Sequence, residues 1–430
     1  MALRCPESTL GGLPNRKAAS NNVDVFWGSL ELHQFHNALE LTKALKPDQP
    51  VILTRPHAAH RAARFFVEKF PGKSLYAVKA NPSPALIETL WAAGITHFDV
   101  ASIAEVRLVS GLLPDAQMCF MHPVKSEKAV KEAYHKHGVK TFSLDTMDEL
   151  HKIQRATDNA EDLNLCVRIR VSSEYAELSL ASKFGAEIDE TAELLMAVRQ
   201  IADSLGICFH VGSQAMSPHA YVQGLERVRA AIVEASVTVD IINVGGGFPS
   251  IYPNMEPPAL QHYFDVIDRT FEDLPISYSA ELWCEPGRAL AAEYSSLIVQ
   301  VEKRRGSELF ITDGAYGSLF DAAHLGWRFP VKLLRDEEYG SDQEAGFSFY
   351  GPTCDDMDHM AGPFFLPDDI RAGDFIEIGM IGAYGAAMRT GFNGFGDTEL
   401  AIVVDEPMAS LYTGEQHNGD GRENVVSING

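Results

Sequence analysis

Positive charge is scarce in this sequence: 36 lysines and arginines stand against 59 aspartates and glutamates, a formal net charge of −23 over 430 residues. Nucleic acids and anionic membranes are recognised through basic patches, so the balance argues against both as partners. No apolar run approaches the roughly 20 residues of a membrane span, and residues 1–25 lack the charged-then-apolar pattern of a signal peptide. Cysteine is sparse and scattered. Cys5, Cys119, Cys166, Cys208, Cys284 and Cys354 include no Cys-x-x-Cys pair, which argues against zinc ribbons and thioredoxin-type sites, and no metal is expected. Four of the six lie in apolar strands and read as buried thiols, so the expectation is a reduced, cytoplasmic protein. The Gly-x-Gly-x-x-Gly fingerprint of dinucleotide binding is absent, as are repeats and low-complexity tracts.

What is present is a regular alternation. After an irregular first 25 residues and a strand-like Val51–Thr54, short apolar runs recur at Ser74–Lys79, Thr96–Ala101, Met118–His122, Thr141–Asp145, Leu165–Arg170, Ile207–Gly212, Ile241–Gly245 and Leu282–Glu285. Between them lie helix-compatible stretches such as Pro84–Ala93, Ser102–Gly111, Ser126–His137, Thr146–Arg155, Glu190–Leu205 and Ala220–Glu234. Eight strands apolar enough to be covered on both faces, each followed by a helix, predict an α/β fold, a parallel (β/α)8 barrel. A doubly wound open sheet is the alternative. After Gly287 the pattern turns to strands separated by Gly, Pro and Asp: Ser296–Val301, Leu309–Thr312, Gly346–Tyr350, Asp374–Gly379 and Thr398–Val404. The expected division is an N-terminal segment 1–50 that adds to the β-rich part, a barrel over 51–290 and a C-terminal β domain over 291–430.

Barrel enzymes carry their sites at the C-terminal ends of the strands. Read in order, those ends are Lys79, Asp99, His122, Asp145, Arg168, His210, Gly245 and Glu285. Lys79 closes the apolar run Leu75-Tyr76-Ala77-Val78, where burial disfavours an ammonium and raises the nucleophilicity of the amine; such a lysine can form a Schiff base with an aldehyde cofactor. Taken alone, such a residue is more often an ordinary lysine that snorkels to the surface. Gly245-Gly246-Gly247 leaves backbone N–H groups open to an anion after strand seven, where barrels place phosphate, or it is simply a tight turn. Glu285-Pro286-Gly287-Arg288 brings a carboxylate and a phosphate-suited guanidinium to the mouth. His210 could stack on a flat cofactor, act as an acid, or be a satisfied core histidine. Cys354 and Asp355 lie in a Gly-Pro turn of the β-rich part, where a reactive thiol is plausible.

Taken together, Tyr76–Asn81, Phe98–Ser102, Lys183–Gly185, His210–Ser213, Val244–Pro249, Glu285–Arg288, Asp313–Ser318, Gly351–Asp355 and Gly382–Tyr384 resemble the motifs of the fold-type III, pyridoxal-phosphate-dependent amino acid decarboxylases, in particular the ornithine/lysine decarboxylase group. The resemblance runs from about residue 50 to 410. It implies an alanine racemase-like barrel and decarboxylation of a basic amino acid, L-ornithine to putrescine or L-lysine to cadaverine, in polyamine biosynthesis. Lys79 would hold pyridoxal 5′-phosphate as a Schiff base. Glu285 would pair with the pyridine nitrogen and keep the ring an electron sink, and His210 would stack on the ring. Ser213, Gly245, Gly246, Gly247, Gly287, Arg288 and Tyr384 would bind the phosphate, with Asp99 and Arg168 lining the cofactor site. Cys354 and Asp355 would reach into a neighbouring subunit of a homodimer, the thiol protonating Cα after CO2 leaves and the carboxylate facing the distal amine. A salt bridge across that interface would fall to Lys183 and Asp358.

The sequence departs from the family in one place. A Tyr-Asp pair that grips the distal amine in many ornithine decarboxylases has no counterpart at the expected distance after Ser318, which leaves Asp321 as the candidate or a pocket suited to lysine or another basic amino acid. Diaminopimelate decarboxylase is the nearest alternative, but its cysteine block typically reads Cys-Glu-Ser where this chain has Cys354-Asp355-Asp356. A non-catalytic, partner-binding homologue is a further alternative, against which the intact site residues stand.

Overall fold

Eight short strands pair in parallel and close on themselves. They are β1 Lys73–Ala77, β2 His97–Val100, β3 Gln117–Phe120, β4 Thr141–Leu144, β5 Asn164–Arg168, β6 Ser204–Cys208, β7 Ile241–Asn243 and β8 Glu281–Cys284. The computed structural model describes residues 34–171, 174–335 and 341–412; the first 25 residues and Cys5 lie outside this range. The expected barrel strands are therefore present in the expected order, and the open sheet is excluded by the pairing of β8 with β1, Trp283 opposite Lys73 and Cys284 opposite Ser74.

Strand residues alternate between two faces, and residues paired across parallel strands share a face. One parity points outward. Tyr76, Phe98, Phe142, Val167, Ile207 and Ile242 join the main core under the helices. The other parity points into the barrel, where Leu75, Cys119, Met121, Cys166, Cys208, Ile241 and Trp283 form a separate cluster. Small thiols suit this confined interior. Gly206 faces Cys166 so closely that a Cβ would come within 2.5 Å of its sulfur. Burial pushes the Cys119 thiol up to about 12, so it is a packing group here and not a nucleophile.

Helix starts are written locally. Ser102, Ser126 and Thr146 each accept a hydrogen bond from a backbone N–H of the first turn, three residues on. These caps come immediately or soon after β2, β3 and β4, which keeps the loops at the barrel mouth short. The expected helix to Leu205 stops at Arg199, because Ser204 already pairs with Asn164 as the first residue of β6.

The second region is a sheet of nine strands among the described residues. Its spine is the 11-residue strand Ser295–Arg305, which pairs antiparallel with Val51–Thr54, Glu308–Ile311 and Phe375–Ile378. Val51–Thr54 also pairs in parallel with Glu399–Val403. That strand therefore belongs to the sheet, and the barrel follows it instead of starting at residue 51. Arg55, 2% exposed, pins the junction by donating to Ser296, Glu377 and Asp405. The strand His359–Pro367 escaped the sequence reading because Gly362-Pro363 interrupts its alternation.

Candidate active site

Following the inward parity to the C-terminal mouth of the barrel gathers the chemistry. Asp99 pairs with Ala77 and Cys119, Arg168 with Cys208, and Asn243 with Cys208 and Trp283. Lys79, His210 and Glu285 lie one or two residues beyond the ends of β1, β6 and β8. Lys79, Asp99, His122, Arg168, His210 and Glu285 all line one cavity of about 330 Å³, walled on its far side by Leu180, Lys183 and Phe184. A larger cavity, about 750 Å³, opens at the opposite end of the barrel. Its charges are paired, as in Lys73–Glu281 at 2.6 Å, and none of the expected site residues reaches it.

Lys79 is in a short 3-10 turn, Val78–Ala80, and its ammonium lies 2.6 Å from the Asp99 carboxylate. Burial works against the charge, but Asp99, with Tyr384 and Glu285, outweighs it and holds the lysine above its ordinary pKa. This corrects the sequence expectation of a depressed ammonium: a carboxylate that is itself 2% exposed is an unscreened counter-charge. Glu285 is pushed up to about 7, first by burial and then by Asp99, against the opposing pull of Lys79 and Arg168. Asn243 Nδ2 donates to its Oε1 at 2.7 Å. Burial, with Arg168 and Lys79, holds His210 well below the usual histidine range. The ring is therefore neutral. Its Nδ1 accepts from Gly212 N–H at 3.0 Å, which leaves the ring proton on Nε2.

The glycine turn is shaped for close approach. Gly245 has φ +71° and a Cβ there would meet Phe209 O at 2.0 Å; Gly247 has φ +101° and its Cβ would meet Gly212 O at 2.5 Å. Gly246 is so near His210 that a Cβ would lie 3.0 Å from Nε2. Ser213 opens the short strand Ser213–Ala215 beside this turn. Gly287 packs where a Cβ would crowd Ala77 and Ala80, which lets Arg288 tuck under the mouth, 5% exposed. Its guanidinium lies over the rings of Trp327 (4.4 Å) and Tyr384 (4.9 Å) and donates to Tyr252 Oη at 3.1 Å. Arg288 Nε is buried without a hydrogen-bond partner among the described residues. A lysine whose side chain is 41% exposed at the barrel mouth, a neutral imidazole, a carboxylate close to neutrality, a glycine cradle and an arginine with a free donor together fit an aromatic aldehyde that carries a phosphate.

Three sequence expectations are placed differently. Asp321 does not line the cavity; its Oδ2 accepts from Arg288 Nη2 at 3.1 Å in a pair whose side chains are 5% and 10% exposed. The short helix Phe320–His324 turns the carboxylate inward to Arg288, so it is not available to a distal amine in this arrangement. Asp358 is 1% exposed and already accepts from Ala315 N, Thr353 N and Thr353 Oγ1, which leaves its carboxylate no open face for Lys183. Asp145, at the end of β4, receives the Gly185 N–H at 2.9 Å and holds the Phe184 loop.

Cys354 and Asp355 are not in the cavity with Lys79. They sit on the sheet in a groove with Arg305, Phe310 and Tyr350. Asn393 Oδ1 accepts from Cys354 N and Sγ at 3.1 and 3.2 Å, and Tyr316 Oη donates to Asp355 at 2.5 Å, which with the Met357 N–H holds that carboxyl below its usual range. Sequence reasoning assigned no role to Asn243, Tyr252, Trp327 or Asn393. Only Asn243 left a signal, as the inward-parity residue two before Gly245.

Comparison with known proteins agrees with this geometry. Residues 57–292 match the model of the pyridoxal-dependent decarboxylase pyridoxal binding domain, and residues 291–382 that of the pyridoxal-dependent decarboxylase C-terminal sheet domain. The lysine/ornithine decarboxylase of Selenomonas ruminantium is 32% identical over 345 residues, covering 77% of this chain and 84% of that protein. Mouse ornithine decarboxylase is 30% identical over 380 residues, covering 80% and 78% respectively. The crystal structure of Paramecium bursaria Chlorella virus arginine decarboxylase bound to agmatine superposes with a TM-score of 0.75 at 28% identity, covering 84% of this chain and 98% of that one. The chain belongs to the pyridoxal-dependent decarboxylases.

Proposed function

We propose that this chain removes the α-carboxylate of a basic L-amino acid, L-ornithine or L-lysine, and releases putrescine or cadaverine. The observation that carries the proposal is the convergence of Lys79, Asp99, His210 and Glu285 on one cavity beside the Gly245–Gly247 cradle and Arg288. Relatives named for lysine, ornithine and arginine support a substrate with a distal cation. When bound, pyridoxal 5′-phosphate supplies an electron-accepting ring into which the electrons of the Cα–carboxylate bond pass as carbon dioxide leaves.

The chain's own residues do the rest. Lys79 would hold the cofactor's aldehyde, with Asp99 as counter-charge to the lysine nitrogen. Glu285, oriented by Asn243, would pair with the ring nitrogen, and a cation there would keep the carboxyl ionised. Neutral His210 would offer a flat face to the ring. Gly245, Gly246 and Gly247, with Ser213, Arg288 and Tyr384, would take the phosphate.

Among the described residues, no carboxylate lining the cavity is left for a distal ammonium, since Asp99 is on Lys79 and Glu285 on Asn243; Asp321, outside the cavity, is on Arg288. This supports a homodimer in which a second copy's Asp355 takes the ammonium and its Cys354 delivers a proton to Cα. No helix is long and apolar enough to cross a membrane among the described residues, in keeping with a cytoplasmic enzyme. Purified protein should show a visible absorption band that borohydride removes by labelling Lys79. Incubation with ornithine, lysine, arginine and diaminopimelate should yield putrescine or cadaverine first. Lys79→Ala should lose band and turnover together, and a Lys79→Ala variant that still releases diamine overturns the assignment.

A further inference from the structure

Arg288 is held more completely than a phosphate-binding arginine requires. Trp327 and Tyr384 lie against its guanidinium, Tyr252 takes Nη1, and Asp321 takes Nη2. The rings fix the guanidinium in place, so an anion arriving there meets the Asp321 carboxylate on the same buried cation. Asp321 comes from the short helix Phe320–His324 on the sheet side of the molecule, and no hydrogen-bond donor other than Arg288 reaches its carboxylate among the described residues. A carboxylate and a phosphate dianion sharing one desolvated guanidinium repel each other. Without either anion, the guanidinium would be an uncompensated buried charge.

We infer that Asp321 is a built-in counter-anion for Arg288: it neutralises the guanidinium in cofactor-free protein and competes with the cofactor's phosphate, thereby setting how readily the enzyme gives up its cofactor. The inference rests on the reading of Arg288 as a phosphate ligand. It assigns Asp321 a positioning role in cofactor exchange in place of the distal-amine role suggested by the sequence. Removing the charge should then move two quantities in opposite directions. Cofactor-free protein should become less stable, and affinity for a phosphate-bearing ligand should rise.

The test uses full-length protein stripped of cofactor and two probes: 4′-deoxypyridoxine 5′-phosphate, which has the ring and phosphate but no aldehyde for Lys79, and 4′-deoxypyridoxine, which also lacks the phosphate. Asp321→Asn and Asp321→Ser should each bind the phosphorylated probe roughly tenfold more tightly than wild type, bind the unphosphorylated probe as wild type does, and melt at a lower temperature without ligand. Arg288→Gln should bind the phosphorylated probe far more weakly. If both Asp321 variants bind that probe no better than wild type while Arg288→Gln is impaired, the counter-anion role is wrong and the phosphate reading stands. If Arg288→Gln binds it normally, the phosphate reading falls, and this inference falls with it.

Discussion

Two carboxylates with similar burial do different work around Lys79, and the difference lies in what each touches. Asp99 contacts the ammonium directly, 2.6 Å away. Glu285 is tied to the Asn243 amide instead and sits high enough in pKa, about 7, to change its charge with a neighbouring cation. Burial lowers the pKa of the lysine, and Asp99, Tyr384 and Glu285 together raise it by more. Replacing Asp99 by Ala removes the largest raising influence and leaves burial in place, so the ammonium should lose its proton at a lower pH. In cofactor-free protein at about pH 8, an amine-selective reagent should then modify Lys79 roughly tenfold faster than in wild type, the change that one pKa unit gives in the neutral fraction. Peptide-resolved mass spectrometry reads the rate directly. An unchanged or slower rate would mean that the charge on Lys79 is set by something other than this contact.

At the scale of the element, the turn after β7 is the least replaceable piece of backbone in the site. Gly245 needs a left-handed φ, and a Cβ there would fall 2.0 Å from Phe209 O, part of the chain that leads from β6 to His210. Gly245→Ala should therefore cost about 2–4 kcal/mol through backbone strain and overlap, seen as a lower melting temperature, and should displace His210 enough to weaken cofactor binding. A variant with wild-type melting and binding would show that the turn relaxes freely. This turn was legible in the sequence as three successive glycines, just as the barrel was legible in eight apolar runs, because each depends on contacts that repeat along the chain. Reading the ends of the strands carried Asp99, Arg168 and Glu285 into view by the same logic. The cage around Arg288 was not legible: Tyr252, Trp327 and Asp321 come from a loop and a short helix with no periodic pattern, brought together only by the docking of the sheet on the barrel. The depressed lysine failed for a related reason, since burial can be read from neighbours in sequence whereas Asp99 is a neighbour only across a strand pair.

At the scale of the whole molecule, the cavity at Lys79 and the turn that carries Cys354 and Asp355 do not meet within one chain. Lys79 opens into the barrel mouth, whereas Cys354 and Asp355 face a groove on the sheet, with Met357 beside them 64% exposed and Phe392 and Phe395 at 42% and 46%. Apolar side chains this exposed around a fixed thiol and carboxylate suit a surface that another copy covers. An isologous dimer would bring each barrel mouth to the other chain's sheet edge and create two composite sites. Mixing tests this without knowledge of the interface. Lys79→Ala should be inactive because both sites lack the lysine, and Asp355→Ala should be strongly impaired because both lack the distal carboxylate. Co-refolding or co-expressing the two should yield mixed dimers in which one site carries both defects and the other carries neither. With random pairing half the dimers are mixed, and each holds one intact site of two, so activity should recover to about a quarter of wild type. A site contained within a single chain predicts no recovery, since every site would then lack either its lysine or its carboxylate whichever chains associate.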